Sequence, residues 1–167
     1  MKAVLFDLDG TLIDTAADFI RILQDMCREK GCPVVDADLI RTQVSEGARA
    51  MVKLVYPELD VDDPIFLAHR QDFLDRYGAD IAVDTDLFTG MQALLAELEQ
   101  HQIPWGIVTN KPRWLSESLL QALNLTARCS VLVCPEDVSK TKPDPEPMYL
   151  AADQMQIDAK DCIYVGR

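Results

Sequence analysis

The chain opens on an apolar run broken at once by two carboxylates, a pairing that few folds accommodate. Ala3-Val4-Leu5-Phe6 contains no polar residue, and Asp7-Leu8-Asp9-Gly10-Thr11 follows directly. A short apolar run closed by turn residues reads as a strand buried on both faces of a parallel sheet. Asp7 and Asp9 then sit at its carboxyl end, where open α/β sheets bind ligands. Two carboxylates there are costly unless a cation or a reacting group uses them. The bland alternative is a strand whose Asp and Gly simply turn the chain. An EF-hand loop also begins D-x-D-G, but its sixth position, Leu12, is not Gly and its twelfth, Asp18, is not Glu.

Beyond this opening the chain divides into two patterns. From Asp14 to about Asp84 only helical spacing is found. Asp14 or Thr15 starts a helix carrying Phe19, Ile20, Leu23, Met26 and Cys27, which Gly31 stops. Leu39, Ile40 and Val44 mark a second helix, and Gly47 to Tyr56 a third. Asp63-Pro64 opens a fourth, with Phe66, Leu67, Phe73, Leu74 and Tyr77, up to Gly78. Beyond residue 85, helices and strands alternate: a helix at Met91–Leu98, a strand at Trp105–Thr109, a helix from Pro112, an apolar run at Cys129–Cys134, a helix from Asp144-Pro145, and a strand at Cys162–Val165. Alternation of that kind means a parallel sheet covered on both faces. The expected fold is α/β: a Rossmann-like, doubly wound parallel sheet formed by residues 1–13 and 85–167, with an inserted helical cap subdomain at 14–84.

Charge narrows the partners. The net charge of −12 disfavours nucleic acid and anionic membrane surfaces, both of which attract Lys and Arg. No run approaches the roughly 20 apolar residues of a membrane span. Nothing at the start resembles a signal peptide, because the apolar run meets Asp7 too soon. The five cysteines show no C-x-x-C pair, and Cys129, Cys134 and Cys162 fall in expected strands, so buried free thiols and a cytoplasmic setting are expected.

Two later stations bear on chemistry. Ile107-Val108-Thr109-Asn110-Lys111-Pro112 puts a hydroxyl and an amide at a strand's carboxyl end, before a helix whose first residue would be Pro112. Thr109 and Asn110 either cap that helix or, with its free N–H groups, receive an anion. Ser139-Lys140-Thr141-Lys142-Pro143-Asp144-Pro145 carries two lysines before another helix. Pro143 restricts Lys142, and the helix behind fixes its direction. Lys140 has no such argument and reads as surface.

D-L-D-G-T, V-T-N-K-P and S-K-T-K-P-D-P-E-P, in that order and with a helical insert after the first, resemble the haloacid dehalogenase superfamily of phosphatases over essentially the whole chain. The detail, including S-E-G-A-R-A-M in the insert, is most similar to the phosphoglycolate-phosphatase-like group. The resemblance implies hydrolysis of a small phosphomonoester, of the N-acetylmuramic acid 6-phosphate or 2-phosphoglycolate type, through an aspartyl-phosphate. The former substrate belongs to peptidoglycan recycling. Asp7 would be the nucleophile and Asp9 the general acid and base. Mg2+ would bind at Asp7 and Asp9, and Thr109, Asn110 and Lys142 would hold the phosphoryl group. Arg49, in the insert, would meet a substrate carboxylate, or else be a surface residue. The partner implied is a small phosphorylated metabolite. The family also carries an acidic G-D-x-x-x-D-type stretch after the last strand, completing the metal site. Here the sequence reaches Arg167 where the first of those acids is expected. A C-terminally truncated or degenerate family member, one that only binds phosphate, is the alternative expectation, and a sugar phosphomutase is another.

Overall fold

The structure, a computed structural model, describes residues 1–166. They form two compact units: residues 1–14 with 86–166, and Thr15–Thr85.

In the first unit, β1 (Ala3–Phe6), β4 (Trp105–Val108), β5 (Leu132–Val133) and β6 (Cys162–Val165) make a parallel sheet in the order β5-β4-β1-β6. Every residue of β1 and β4 is buried, which is why both read as unbroken apolar runs. The remaining strands β2 (Ile13–Asp14) and β3 (Asp86–Leu87) pair antiparallel where the chain leaves and re-enters this unit. Two residues are too few for any periodicity to show, so neither strand is visible in the sequence. Helices α5 (Met91–Gln100), α6 (Arg113–Ala122) and α7 (Glu146–Gln154) connect the parallel strands. From β1 the strands step to β4 and β5, then jump to the far side of β1 for β6. That reversal creates the crevice at the carboxyl ends where doubly wound sheets bind ligands.

Helix α7 packs on β4 and β5. Leu5, Val108, Val131, Val133 and Ala151 form a core cluster, with Met148, Leu150 and Tyr164 against it. Gly106 lets the 131 segment close in: a Cβ there would meet Val131 Cγ1 at 2.3 Å. The Cys129–Cys134 run delivers only a two-residue strand, Leu132–Val133, because the chain comes out of a turn at 126–128 and still bends at Ser130.

The second unit is helical: α1 (Ala16–Lys30), α2 (Ala37–Gln43), α3 (Ala48–Val55) and α4 (Pro64–Ala79). Helix α1 packs on the other three. Its buried stripe is Ala16, Phe19, Ile22, Leu23, Met26 and Cys27, so Ile22 takes the place expected of Ile20. Phe19 stacks in tilted contact with Phe73 and Tyr77 of α4, at centroid distances of 5.6 and 4.6 Å. Asp63 caps α4 through Ile65 N–H at 2.7 Å, with Pro64 as the first helical residue. Asp18, fully buried, closes the unit: it accepts from the Thr85 hydroxyl at 2.6 Å, the Asp84 amide at 3.2 Å and the Arg21 guanidinium at 3.0 Å.

Candidate active site

The turn after β1 is set by its own backbone. Leu12 N–H bonds to the Leu8 carbonyl at 3.1 Å, Ile13 N–H to the same carbonyl at 3.0 Å, and Gly10 N–H to the Ile13 carbonyl at 3.0 Å. Gly10 takes φ 76°, a conformation glycine adopts without strain. The tight loop leaves Asp7 buried, 6% exposed, and Asp9 half-buried.

Each carboxylate has its own lysine. Lys142 Nζ lies 2.7 Å from Asp7 Oδ1, which also accepts from Leu8 N–H at 2.8 Å. Lys111 Nζ reaches both oxygens of Asp9, at 3.1 and 3.2 Å. Both ammonium groups are themselves buried: the Lys142 and Lys111 side chains are 7% and 5% exposed. Burial pushes the Asp7 carboxyl above its ordinary value, against Lys142 and the Leu8 amide, which act to lower it. Burial likewise pushes Lys111 down, with the Asp9 charge opposing.

Lys142 is positioned from three sides. Tyr164, at the end of β6, takes a hydrogen bond from Lys142 Nζ at 2.8 Å, and its ring centroid is 5.4 Å from that nitrogen. Burial first, and the Asp7 charge second, raise the Tyr164 phenol, so it stays protonated. Asn110 Nδ2 donates to the Lys142 carbonyl at 3.1 Å. Glu146, in the first turn of α7, reaches back to Ser139 N–H at 2.8 Å and Lys140 N–H at 2.9 Å, fixing the loop's start. The Lys142–Pro143 peptide is cis. Lys140 is exposed and pairs only loosely with Asp144, at 3.8 Å.

Thr109 is buried, 5% exposed, and its Oγ1 accepts from Lys111 N–H at 3.1 Å. Neither it nor Asn110 caps α6. That helix begins at Arg113, one residue beyond the expected Pro112. The Arg113 amide is occupied by the Glu136 carboxylate at 3.0 and 3.2 Å, so this helix start is not the open anion cradle the sequence suggested. Gly166 takes φ 147° beside Asp7, where a Cβ would fall 2.4 Å from Asp7 Cβ.

The first unit thus brings together Asp7, Asp9, Thr109, Asn110 and Lys142. Arg49 belongs to the helical unit, where it is exposed on α3 and pairs with Asp62 at 3.3 Å. The sequence pointed to no role for Lys111, Tyr164 or Gly166. Lys111 sits within V-T-N-K-P, and its one signal was a cation at a strand's carboxyl end. All five cysteines are free, but of the three expected in buried strands only Cys134 is buried, Cys129 and Cys162 being half-buried. Among the described residues no three His, Cys, Asp or Glu side chains converge on a metal position. The donor chemistry nonetheless fits Mg2+, which is commonly held by one or two carboxylates together with waters and phosphate oxygens.

A doubly wound sheet with two lysine-paired aspartates at the end of its central strand is an α/β fold whose candidate site lies where such sheets bind ligands. The family model for haloacid dehalogenase-like hydrolases matches residues 4–166, and the chain belongs to that family. It is 48% identical over 166 residues to an N-acetylmuramic acid 6-phosphate phosphatase of Pseudomonas putida, covering 99% of this chain and 74% of that one. A phosphoglycolate phosphatase of Xanthomonas campestris is 40% identical over 165 residues, with coverage of 99% and 74%. The relatives' names place the chain among the phosphoric monoester hydrolases. A solved haloacid dehalogenase-like hydrolase of Bacteroides fragilis shares the fold, with a TM-score of 0.82 at 24% identity over 98% of this chain and 77% of its own. Phosphatases of this family generally depend on a metal. No helix among the described residues is long and apolar enough to cross a membrane.

Proposed function

We propose that the chain hydrolyses small sugar or carboxylic acid phosphomonoesters, of the N-acetylmuramic acid 6-phosphate or 2-phosphoglycolate type, through an aspartyl-phosphate on Asp7. The observation that carries this is the pair of buried ion pairs, Asp7 with Lys142 at 2.7 Å and Asp9 with Lys111 at 3.1 Å, at the end of one strand. An ionised Asp7 attacks phosphorus, forming its own P–O bond as the ester P–O bond breaks. Asp9 gives its proton to the departing alkoxide. Water then attacks the phosphoryl group, Asp9 takes the water's proton, and the Asp7–phosphorus bond breaks to release phosphate. Burial supports the first step, since a carboxylate short of solvent is a stronger nucleophile.

Lys142 and the Thr109 hydroxyl hold the transferring phosphoryl oxygens. Asn110 serves them by tethering the Lys142 loop. Asp9 enters the first step protonated, and once its proton has gone to the alkoxide Lys111 holds the resulting carboxylate by both oxygens, as in the structure. Mg2+ would be held by the Asp7 carboxylate and the Asp9 main-chain carbonyl, and it would offset charge between two anions that otherwise repel. In this proposal residues 1–13 and 85–167 are the catalytic core, 14–84 are the cap, and Arg49 selects a substrate carboxylate. The setting is the cytoplasm.

The test is phosphate release from p-nitrophenyl phosphate with Mg2+. Loss of release on chelation and in Asp7→Asn is expected; equal rates for wild type and Asp7→Asn would overturn the proposal.

A further inference from the structure

The last turn of α1 brings two cysteines together. The helix ends at Lys30, and Gly31 takes φ 72° and ψ 26°, the left-handed conformation. Gly31 N–H bonds to the Arg28 carbonyl at 3.1 Å, and Cys32 N–H bonds to the Cys27 carbonyl at 3.1 Å. The second bond is that of a Schellman closure, which sets the side chains of the residues it joins against each other. An apolar contact usually fills that space; here both residues are cysteines. Cys32 Sγ donates to the Cys27 carbonyl oxygen at 3.6 Å, which lays its side chain back along Cys27. The next loop wraps over them. Gln24 Nε2 donates to the Val35 carbonyl at 3.2 Å, tying that loop to α1 one turn before Cys27. Both cysteines are free; Cys27 is fully buried and Cys32 half-buried.

We propose that Cys27 and Cys32 are a reversible modification site for low-molecular-weight disulfides such as oxidised glutathione, closing to a disulfide across the end of α1. Bridged cysteines need Cα atoms roughly 4.4–6.8 Å apart, and the hydrogen bond between their main chains holds this pair near such a span. Cys32 is the thiol a reagent can reach. Its thiolate attacks one sulfur of oxidised glutathione and expels glutathione thiolate, which takes up a proton. Cys27 then attacks the Cys32 sulfur and expels the second glutathione. Two protein thiols are oxidised, and one glutathione disulfide is reduced to two glutathiones.

Burial raises the Cys27 thiol, with the Val35 backbone opposing, which makes the closing step the slower one. Burial pushes the Cys129 and Cys134 thiols each up to about 11, and burial with the charges of Asp161 and Asp158 raises Cys162. The site lies wholly within the helical unit and does not depend on the phosphatase proposal.

The test uses the reduced chain, incubated with oxidised glutathione and read by intact mass, peptide mapping and thiol titration in denaturant. The expected product has lost two hydrogens, carries a Cys27–Cys32 link, shows two fewer free thiols than the reduced chain's five, and reverts with dithiothreitol. Cys27→Ser should instead accumulate a stable glutathione adduct on Cys32. Cys32→Ser should leave Cys27 unmodified. Should either variant fail to fold, the wild-type peptide map decides. A wild type that stays reduced, stops at a Cys32 adduct, or bridges other cysteines overturns the proposal.

Discussion

Asp7 and Asp18 are both buried aspartates near the start of the chain, and their surroundings are opposite. Asp18, in the helical unit, has its oxygens filled by the Thr85 hydroxyl, the Asp84 amide and the Arg21 guanidinium. Asp7, in the α/β unit, is held on Oδ1 by Lys142 and the Leu8 amide, and burial outweighs both to raise its pKa. A carboxylate surrounded by fitted donors is locked and lowers the energy of one conformation. A carboxylate that remains poorly stabilised for its burial is poised to gain another partner. The first arrangement builds a fold, and the second suits a nucleophile.

That contrast predicts a double dissociation. The largest expected effect is on activity: Asp7→Asn should lower phosphate release about 10⁴-fold or more, as removal of a nucleophile does, while thermal unfolding stays cooperative. Asp18→Ala should do the reverse. Losing its hydrogen bonds strands the Thr85 hydroxyl and the Asp84 amide, at about 3 kcal/mol in urea unfolding, with the rate per folded molecule kept. Similar stability losses in both variants would erase the distinction.

Smaller changes sharpen it. Lys111→Met removes the cation from Asp9, and a fall of about 10²-fold is expected for an alkyl phosphate. The fall for p-nitrophenyl phosphate should be smaller, because its leaving group needs little protonation. Equal falls on both substrates would place Lys111 in the packing alone. The mildest change, Thr85→Val, deletes one hydrogen bond to the Asp18 carboxylate and should lower unfolding free energy by about 1.5 kcal/mol.

The same physics governs how far the fold and site are legible in the sequence. Strands β1 and β4 are legible because burial on both faces demands apolar residues throughout. Helix α1 is legible from its spacing, with Gly31 at its stop. The two-residue strands β2 and β3 carry no period to detect. Glu136 capping Arg113 and Asp18 gathering Asp84 and Thr85 are contacts between distant residues, which no local rule reveals. Asp18 in particular looks like any charged residue in the first turn of a helix. In the site, Asp7, Asp9, Thr109 and Lys142 stand out because strand ends and turn residues mark them. Lys111 and Tyr164 do not, since a lysine or tyrosine acquires its meaning there only from the carboxylate and ammonium that face it.

Covalent phosphorylation of Asp7 is the step of the proposed reaction that leaves a trace on the chain. The direct measurement is acid quench of a turnover mixture, borohydride reduction of any acyl phosphate, and mass mapping of the peptide containing residues 3–11. Reduction of the side chain at position 7 to an alcohol is expected, and none in substrate-free protein. Phosphate release with an unreduced Asp7, or reduction at a different aspartate, would contradict it.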